Sequence, residues 1–344
     1  MKSSLFGLDI GSTSIKAAQF KKSGSGIEVE AIGVGPALER GILSDSDIDL
    51  RNLSNHIKEI VKQSGISSSE VAFCIPDSQV YTKIIDMPPL SERELAASLK
   101  YEMEQYIPLP LDQVRTDWQI LGSSNKDGKQ VTSVFLVAAP NALLDKYEKV
   151  AEGAGFLANT IETEMISVYR SLYPLLYNPA PSIVVHMGAT TTSIAVVKNG
   201  VILMTFTIDK GGLAISRAIS VDLGIDLTQA ESFKKVYGLN KETFEGKIGK
   251  SLFPILESIM GDIRKAILMY KDKSNSNEQV NQIVLSGGSA LLPGIDVYFT
   301  NQLNIQVVLG NAFQIYNIAK VPEGLMRDAL SFNTVVGLGI KELV

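Results

Sequence analysis

Cysteine is almost missing from this chain of 344 residues; Cys74 is the only one. A single thiol excludes an internal disulfide and suits a reducing compartment. Cys74 lies in VAFCIP, an apolar strand-like run with no metal-ligand spacing around it, and reads as a small buried hydrophobe rather than a reactive group. Histidine is nearly as scarce, with two in the chain. An excess of positive charge is missing too. Against 37 acidic residues stand 32 Lys and Arg, a net charge of −5, which leaves no basic face for nucleic acid to follow. No apolar run reaches the ~20 residues that span a bilayer. The opening MKSSLFGLDIGSTSIK has too short an apolar stretch for a signal peptide, and the closing GLGIKELV is not a basic amphipathic helix, so direct membrane anchoring is not expected. What remains is ordinary globular material, 45% hydrophobic and 20% charged, in a length that favours two domains.

Two segments resemble copies of one hairpin. Residues 5–21 read LFGLDIGSTSIKAAQFK, and residues 182–198 read SIVVHMGATTTSIAVVK. Each is an apolar run, a glycine, small hydroxyl residues and a second apolar run. Gly11 and Gly188 stand about half a chain apart. A strand–Gly–Ser/Thr–strand turn lets backbone approach a phosphate and offers it N–H and hydroxyl donors. Two such turns predict a duplicated fold that grips a nucleotide from both sides.

Strands and helices alternate along the rest, which predicts an α/β class. The first hairpin and a strand at 26–34 lead to a helix over 47–64, periodic in Leu50, Leu53, Ile57, Ile60 and Val61 and stopped near Gly65. VAFCIP and VYTKIIDMP follow as strands. A segment of different texture, about 87–160, then reads as a compact α/β insertion. It holds a helix opened by a Ser91–Glu94 capping box and stopped by Pro108 and Pro110, the strands TDWQIL and VTSVFLVAA, a helix ending at Gly153 and a strand at 157–161. The second half repeats the opening. Asn199-Gly200 joins strands 191–197 and 201–208, helices follow at about 212–222, 228–236 and 244–272, then strand IVLS, Gly-Gly and a final helical segment near 328–340.

Several short motifs carry candidate chemistry. Asp9 sits at a strand end, where a carboxylate can hold Mg²⁺ directly or through water, and Lys16 on the outgoing strand can reach a phosphate. His186 occupies the place of Asp9 in the second hairpin. A lone imidazole in an apolar strand is more often a hydrogen-bonded core residue, and a metal role is poor because His56 falls in a surface helix. Gly211-Gly212 precedes a helix, followed by Glu231 and Lys234 on one helix face; this pair is either a surface ion pair or a hold on a ribose and ring edge. IVLSGGSALLPG runs a buried strand into Gly287-Gly288-Ser289 and a helix start, with free N–H groups and room for a flat ring.

Taken singly each motif is weak; their fixed order resembles the actin-like ATPase superfamily of actin, sugar kinases, DnaK-type chaperones and the cell-division protein FtsA. The resemblance implies two duplicated ribonuclease-H-like domains, 1–175 and 176–344, with a helical subdomain at about 211–275. It implies ATP and Mg²⁺ held by a first phosphate loop (Asp9, Gly11, Ser12, Thr13, Lys16) and a second (His186, Gly188, Ala189, Thr190, Thr191). Gly211, Gly212, Glu231 and Lys234 would face the ribose and adenine, and Gly287, Gly288 and Ser289 the adenosine. The insertion narrows this. MPPLSERELAASLKYEMEQYIPLPLDQVRTDWQIL with VFLVAAPNALLDKYEKVAEGAGF resembles the PilM family of type IV pilus assembly proteins, over nearly the whole chain to FNTVVGLGIKELV. That family implies a cytoplasmic ATP-binding protein at the inner face of the inner membrane. It binds the N-terminal cytoplasmic tail of a PilN-like membrane protein in a groove beside the insertion, and meets the membrane only through partners. Candidate groove residues are Met87, Leu90, Leu95, Met103, Tyr106 and Ile107, although packing of the insertion itself is an equal reading of each.

One departure matters. The superfamily's second loop usually has Asp where this chain has His186, and imidazole does not replace a carboxylate as a ligand for Mg²⁺. ATP binding with little or no hydrolysis is therefore expected. Ala214 also stands where Thr is common. The competing readings are a small-molecule kinase of sugar-kinase type, which needs a carboxylate base over a substrate hydroxyl, and an FtsA-like filament or other homo-oligomer. A chaperone is not expected, since no large substrate domain follows the core.

Overall fold

The computed structural model describes residues 5–24, 26–126, 128–240, 242, 246–274 and 278–344. Its first half runs β1 (Phe6–Ile10), β2 (Ser14–Ser23), β3 (Gly26–Pro36), α1 (Asp47–Ser64), β4 (Glu70–Ile75), β5 (Tyr81–Met87), α2 (Glu92–Tyr106), β6 (Val114–Lys126), β7 (Lys129–Pro140), α3 (Asn141–Ala154), β8 (Leu157–Thr163) and α4 (Glu164–Leu176). The second runs β9 (Ser182–Met187), β10 (Thr192–Lys198), β11 (Val201–Ile208), α5 (Gly212–Leu223), α6 (Leu227–Tyr237), α7 (Lys247–Ser274), β12 (Gln282–Ser286), α8 (Ile295–Leu303), β13 (Gln306–Leu309) and three short helices, α9 (Ala312–Ile315), α10 (Glu323–Met326) and α11 (Asn333–Gly339).

The repeated hairpins open two sheets of one plan. The first has the order β3-β2-β1-β4-β8 and the second β11-β10-β9-β12-β13. In each, three strands are antiparallel, and two more join the inner strand in parallel. Hairpin turns supply the antiparallel pairs and helical crossovers the parallel ones. The apolar run of each inner strand is buried along its whole length because both faces are covered.

The covering helices are exchanged between the halves. On one face of the first sheet α1 and α3 pack Leu53, Ile57, Leu144 and Tyr147. Its other face is covered by α11, from the end of the chain, through Val335, Val336 and Leu338. The second sheet carries α5, α7 and α8 on one face. On the other face lies α4, from the first half, through Met165, Val168, Leu172 and Leu176. Where α4 and α11 cross, a Cβ added to Gly337 would lie 1.9 Å from the Ser167 carbonyl oxygen, so only glycine admits the contact.

The insertion is shorter than 87–160. β5, β7 and β6 form a separate three-stranded sheet backed by α2, a unit over 81–140. The α3 helix packs in the first core and β8 pairs with β4, because the apolar stripe of α3 matches that of α1. The same packing explains Gly153. It lies inside α3, where an added Cβ would meet Ser54 Oγ at 2.7 Å, and the helix ends instead at Gly155, whose φ is +87°. The capping box of α2 is formed, with Ser91 N–H donating to Glu94 Oε2 at 2.9 Å.

Candidate functional site

The two hairpin turns have the same internal bond. Gly11 N–H donates to the Ser14 carbonyl at 3.1 Å, and Gly188 N–H to the Thr191 carbonyl at 2.9 Å. Their tips meet, with Ser12 Oγ 3.3 Å from Thr190 Oγ1. The start of α5 is laid against the second turn, as Gly212 N–H donates to Gly188 O at 3.0 Å and Leu213 N–H to Ala189 O at 2.8 Å. A side chain at Gly211 would strike the Ala189 carbonyl at 2.6 Å. Ser289 Oγ–H donates to Gly188 O at 2.7 Å. Gly287, at φ +88°, brings its Cα against β9, where a Cβ would sit 2.4 Å from Met187 O. Lys234 is buried, its Nζ donating to Gly212 O at 3.0 Å, Ser216 Oγ at 3.0 Å and Glu231 Oε2 at 2.6 Å; Ser216 Oγ–H also donates to Glu231. The Glu231–Lys234 pair is thus a brace between α5 and α6. Segments distant in sequence converge where the two hairpin turns meet.

Charged groups are buried beneath this junction. Asp9 and Lys16 are cross-strand partners in β1 and β2, and both are buried. Cys74 Sγ–H points at Asp9 Oδ1 at 3.8 Å. Burial raises the Asp9 carboxyl above its ordinary range, against the pull of Lys16 and His186. Lys16 Nζ donates to Ser14 Oγ at 2.8 Å and lies 5.6 Å from the centre of the Phe332 ring. His186 is a hydrogen-bonded buried residue: Nδ1 is 3.1 Å from Ser286 Oγ and Nε2 is 3.5 Å from Glu164 Oε1. Burial pulls its pKa down, but Glu164, Asp9 and Asp77 together hold it above the usual value. Glu164 shows the converse, for burial pushes its carboxyl up and His186 more than reverses this. Asp77 accepts the Met165 N–H at the start of α4 at 3.0 Å, and burial with the nearby Glu164 raises it to about 7.

Asp77 and Glu164 were not singled out from the sequence. The available signal was Thr163-Glu164 ahead of Met165, Val168, Leu172 and Leu176 at helical spacing, obscured by Pro174 within α4. Ser286, His186 and Glu164 stand in the order of a hydrolase triad. Ser286 is fully buried and its Oγ accepts the Asn333 Nδ2–H at 2.8 Å, so it presents no nucleophile to a substrate.

Most of the proposed groove residues are core instead. Met87, Leu95, Met103 and Ile107 are buried between α2 and the three-stranded sheet, and Leu90 packs at the margin, because the apolar face of α2 is spent on its own sheet. Tyr106 stays exposed. With Ile107 it lines a cleft of about 360 Å³ that also draws on Asp77, Lys83 and, from β11, Phe206. Lys83 Nζ lies 4.1 Å above the Tyr106 ring, and Thr82 Oγ1 is 2.9 Å from Thr205 Oγ1 across the two halves.

The family model for type IV pilus assembly protein PilM matches residues 7–343. The chain belongs to the PilM family. Among curated relatives, the cell division protein FtsA of Enterococcus hirae is 23% identical over 382 aligned residues, covering 92% of this chain and 85% of the relative. FtsA of Streptococcus pneumoniae is also 23% identical, covering 87% and 76%. Among solved structures, a PilM–PilN type IV pilus biogenesis complex superposes with TM-score 0.84 at 21% identity over the full length of both chains. The MreB5 protein of Spiroplasma citri, solved bound to ADP, gives 0.55 at 16% over 99% of this chain and 96% of that one. The fold is that of the actin-like ATPases. Among the described residues of this PilM-family chain no helix is long and apolar enough to cross a membrane.

Mg²⁺ is expected at Asp9 from the sequence, where one carboxylate with waters and phosphate oxygens would hold it. Asp9, the expected contact, is buried beside Cys74, and burial raises its carboxyl above the ordinary range. The matching position on the other hairpin is an imidazole engaged through both nitrogens, and Glu164 is engaged with it. Among the described residues no three acidic, histidine or cysteine side chains converge on a metal position.

Proposed function

We propose that this chain is a nucleotide-binding scaffold of the pilus inner-membrane assembly platform. In this reading ATP lies between the two turns. Gly11, Ser12, Thr13 and Lys16 face its phosphates from one side, and Gly188, Ala189, Thr190 and Thr191 from the other. Gly211 and Gly212, packed on the second turn, would face the ribose, Lys234 and Glu231 brace that wall, and Gly287, Gly288 and Ser289 receive the adenosine. The observation that carries the reading is the meeting of the two hairpin tips at Ser12 and Thr190 with both Gly-Gly segments packed behind them. The halves divide near residue 176, with α11 returning to the first sheet, the insertion over 81–140 and the helical subdomain over about 211–275.

The partner is the short cytoplasmic tail of a PilN-like membrane protein. Support comes from membership of the family and from the likeness to a PilM chain solved with PilN. The cleft beside Tyr106 and Lys83 is the place we assign to that tail. The protein then works at the cytoplasmic face of the membrane and reaches it through partners. Weak or absent hydrolysis is expected, because His186 stands where the superfamily has an acid, and the neighbouring Glu164 and Asp77 are engaged, Glu164 with His186 and Asp77 with the α4 N-terminus. The same engagement disfavours a small-molecule kinase, which needs a carboxylate base. Self-association in the manner of FtsA stays as the second reading, on the strength of the FtsA relatives.

Calorimetric titration of nucleotide-free protein with ATP tests the core of this proposal. Saturable one-to-one binding with little turnover is the expected result. Absence of binding by folded protein, or steady turnover that His186→Asp does not raise, would count against it.

A further inference from the structure

Three of the segments assigned to the nucleotide are backed by one stretch, residues 330–333, which lies outside the site residues read from the sequence and opens α11. Gly287 N–H donates to the Leu330 carbonyl at 3.1 Å. Ser331 lies behind Gly288, where an added Cβ would stand 3.5 Å from the Ser331 Cβ. Phe332 is buried, and Lys16 Nζ lies 5.6 Å from the centre of its ring, a distance at which an aromatic face attracts an ammonium group. Asn333 is fully buried and every part of its amide is engaged. Its Nδ2 donates to Ser286 Oγ at 2.8 Å and to Gly310 O at 2.6 Å, and its Oδ1 accepts the Ala312 N–H at 3.1 Å. Turned over, the amide would set its oxygen against the Gly310 carbonyl and its protons against the Ala312 N–H, so its orientation is fixed. Ser286 in turn lies 3.1 Å from His186 Nδ1. One buried amide thus ties the end of β12, the end of β13 and the start of α9 together, directly behind the Gly287-Gly288 turn.

Resting on the nucleotide reading above, we infer that Asn333 is a positioning residue of the nucleotide site, fixing the turn at 286–288 on which the adenosine lies, while Phe332 beside it steadies the Lys16 ammonium for the phosphates. Neither side chain touches the nucleotide; Asn333 acts through Ser286 and the glycine turn, and Phe332 through Lys16. A fully satisfied buried amide is suited to this work, because any shift of the turn breaks a hydrogen bond that no water replaces. The nucleoside and phosphate ends of the ligand are thereby referred to one segment, and that segment leads into the helix that crosses onto the first sheet.

The experiment reads ATP affinity by calorimetry and the surroundings of the base by the emission of bound 2-aminopurine riboside triphosphate at saturation, both on nucleotide-free protein. Asn333→Ala should weaken ATP by about tenfold and change the emission of the bound probe, because the turn no longer holds the base as before. Phe332→Leu should weaken ATP by about threefold or more and leave the saturated emission as in the wild type, since its effect passes through the phosphates. Circular dichroism establishes that each variant is folded. If Asn333→Ala is not, Ser286→Ala, which removes the hydroxyl that Asn333 holds, carries the same expectation. An Asn333 that serves the core alone would lower the unfolding midpoint while affinity and emission stay as in the wild type. That result overturns this inference and leaves the nucleotide reading standing, as does weaker binding with unchanged emission. A wild-type protein that binds no ATP overturns both.

Discussion

A carboxylate in the first turn of α4 and an imidazole on β9, Glu164 and His186, lie 3.5 Å apart, and each shifts the other's titration. His186 holds its proton more tightly in the folded chain than in the unfolded one. The stability this contributes is present below the ordinary histidine value, about 6.5, and is lost as pH rises through the folded value. Asp77, raised to about 7, acts in the same direction, since its acid form is favoured on folding and that gain disappears as pH rises to neutrality. Glu164 is lowered, so its contribution is present above the unfolded glutamate value and lost as pH falls through the folded one. The expected result is an unfolding midpoint that is highest on the acid side of neutrality and declines across it, read by thermal circular dichroism between about pH 5 and about pH 9. Glu164→Gln should lower the midpoint on the acid side and flatten the decline; an unchanged profile would exclude the pair as its source. A second prediction at this scale concerns Tyr147. Its hydroxyl is buried in the first core without a partner among the described residues, and its ring packs edge-on to Phe73. Removing an unsatisfied buried hydroxyl while keeping the ring should stabilise, so Tyr147→Phe is expected to gain about 1 kcal/mol in denaturant unfolding. A loss of that size would mean that the hydroxyl has a partner in solution.

Elements, rather than residues, explain why two similar sheets form one molecule: α4 and α11 each cover the sheet of the other half and cross at Gly337. Gly337→Ala has no room for its methyl group and should cost about 2 kcal/mol or more by forcing the helices apart. Gly324→Ala, in α10 with open space around the added atom, should change stability by less than about 0.5 kcal/mol. Equal effects of the two in urea titrations would show that the crossing is not tightly packed. This scale also separates what sequence could tell from what it could not. The hairpins, α1, the capped α2 and the Gly-Gly turns were legible because their signals are local: a glycine between apolar runs, a capping pair, a periodic stripe. The α4 helix was missed although its stripe is regular, because Pro174 and two tyrosines interrupt the familiar composition. With it went Glu164 and the helix start that Asp77 caps. The true extent of the insertion was illegible for another reason. The stripe of α3 looks the same whether it packs on α1 or on a neighbouring strand. Met87, Leu95 and Met103 likewise present the same apolar surface to a partner groove as to their own core.

The two ligand sites proposed above are each bounded by both halves. The site proposed for the nucleotide lies at the hairpin tips, joined at Ser12 and Thr190. The cleft assigned to the partner tail lies between the insertion and β11, joined at Thr82 and Thr205. Asp77 belongs to both, lining the second while facing Glu164 and His186 of the first. A ligand that touches both walls of either cleft favours the apposed arrangement of the halves and therefore favours binding at the other, by the difference of its affinities for apposed and parted states. On the proposed tail site, saturating ATP should tighten a synthetic tail peptide by about fivefold or more, and the peptide should tighten ATP by the same factor, because the coupling is reciprocal. Tyr106→Ala, which removes the exposed ring beneath Lys83, should weaken the peptide by about tenfold and leave ATP binding in the absence of peptide unchanged. Fluorescence anisotropy of labelled peptide, with and without nucleotide, reads both effects. Equal peptide affinity in the two conditions would mean that the halves do not move on nucleotide binding. A Tyr106→Ala protein that keeps full peptide affinity would place the tail elsewhere on the insertion.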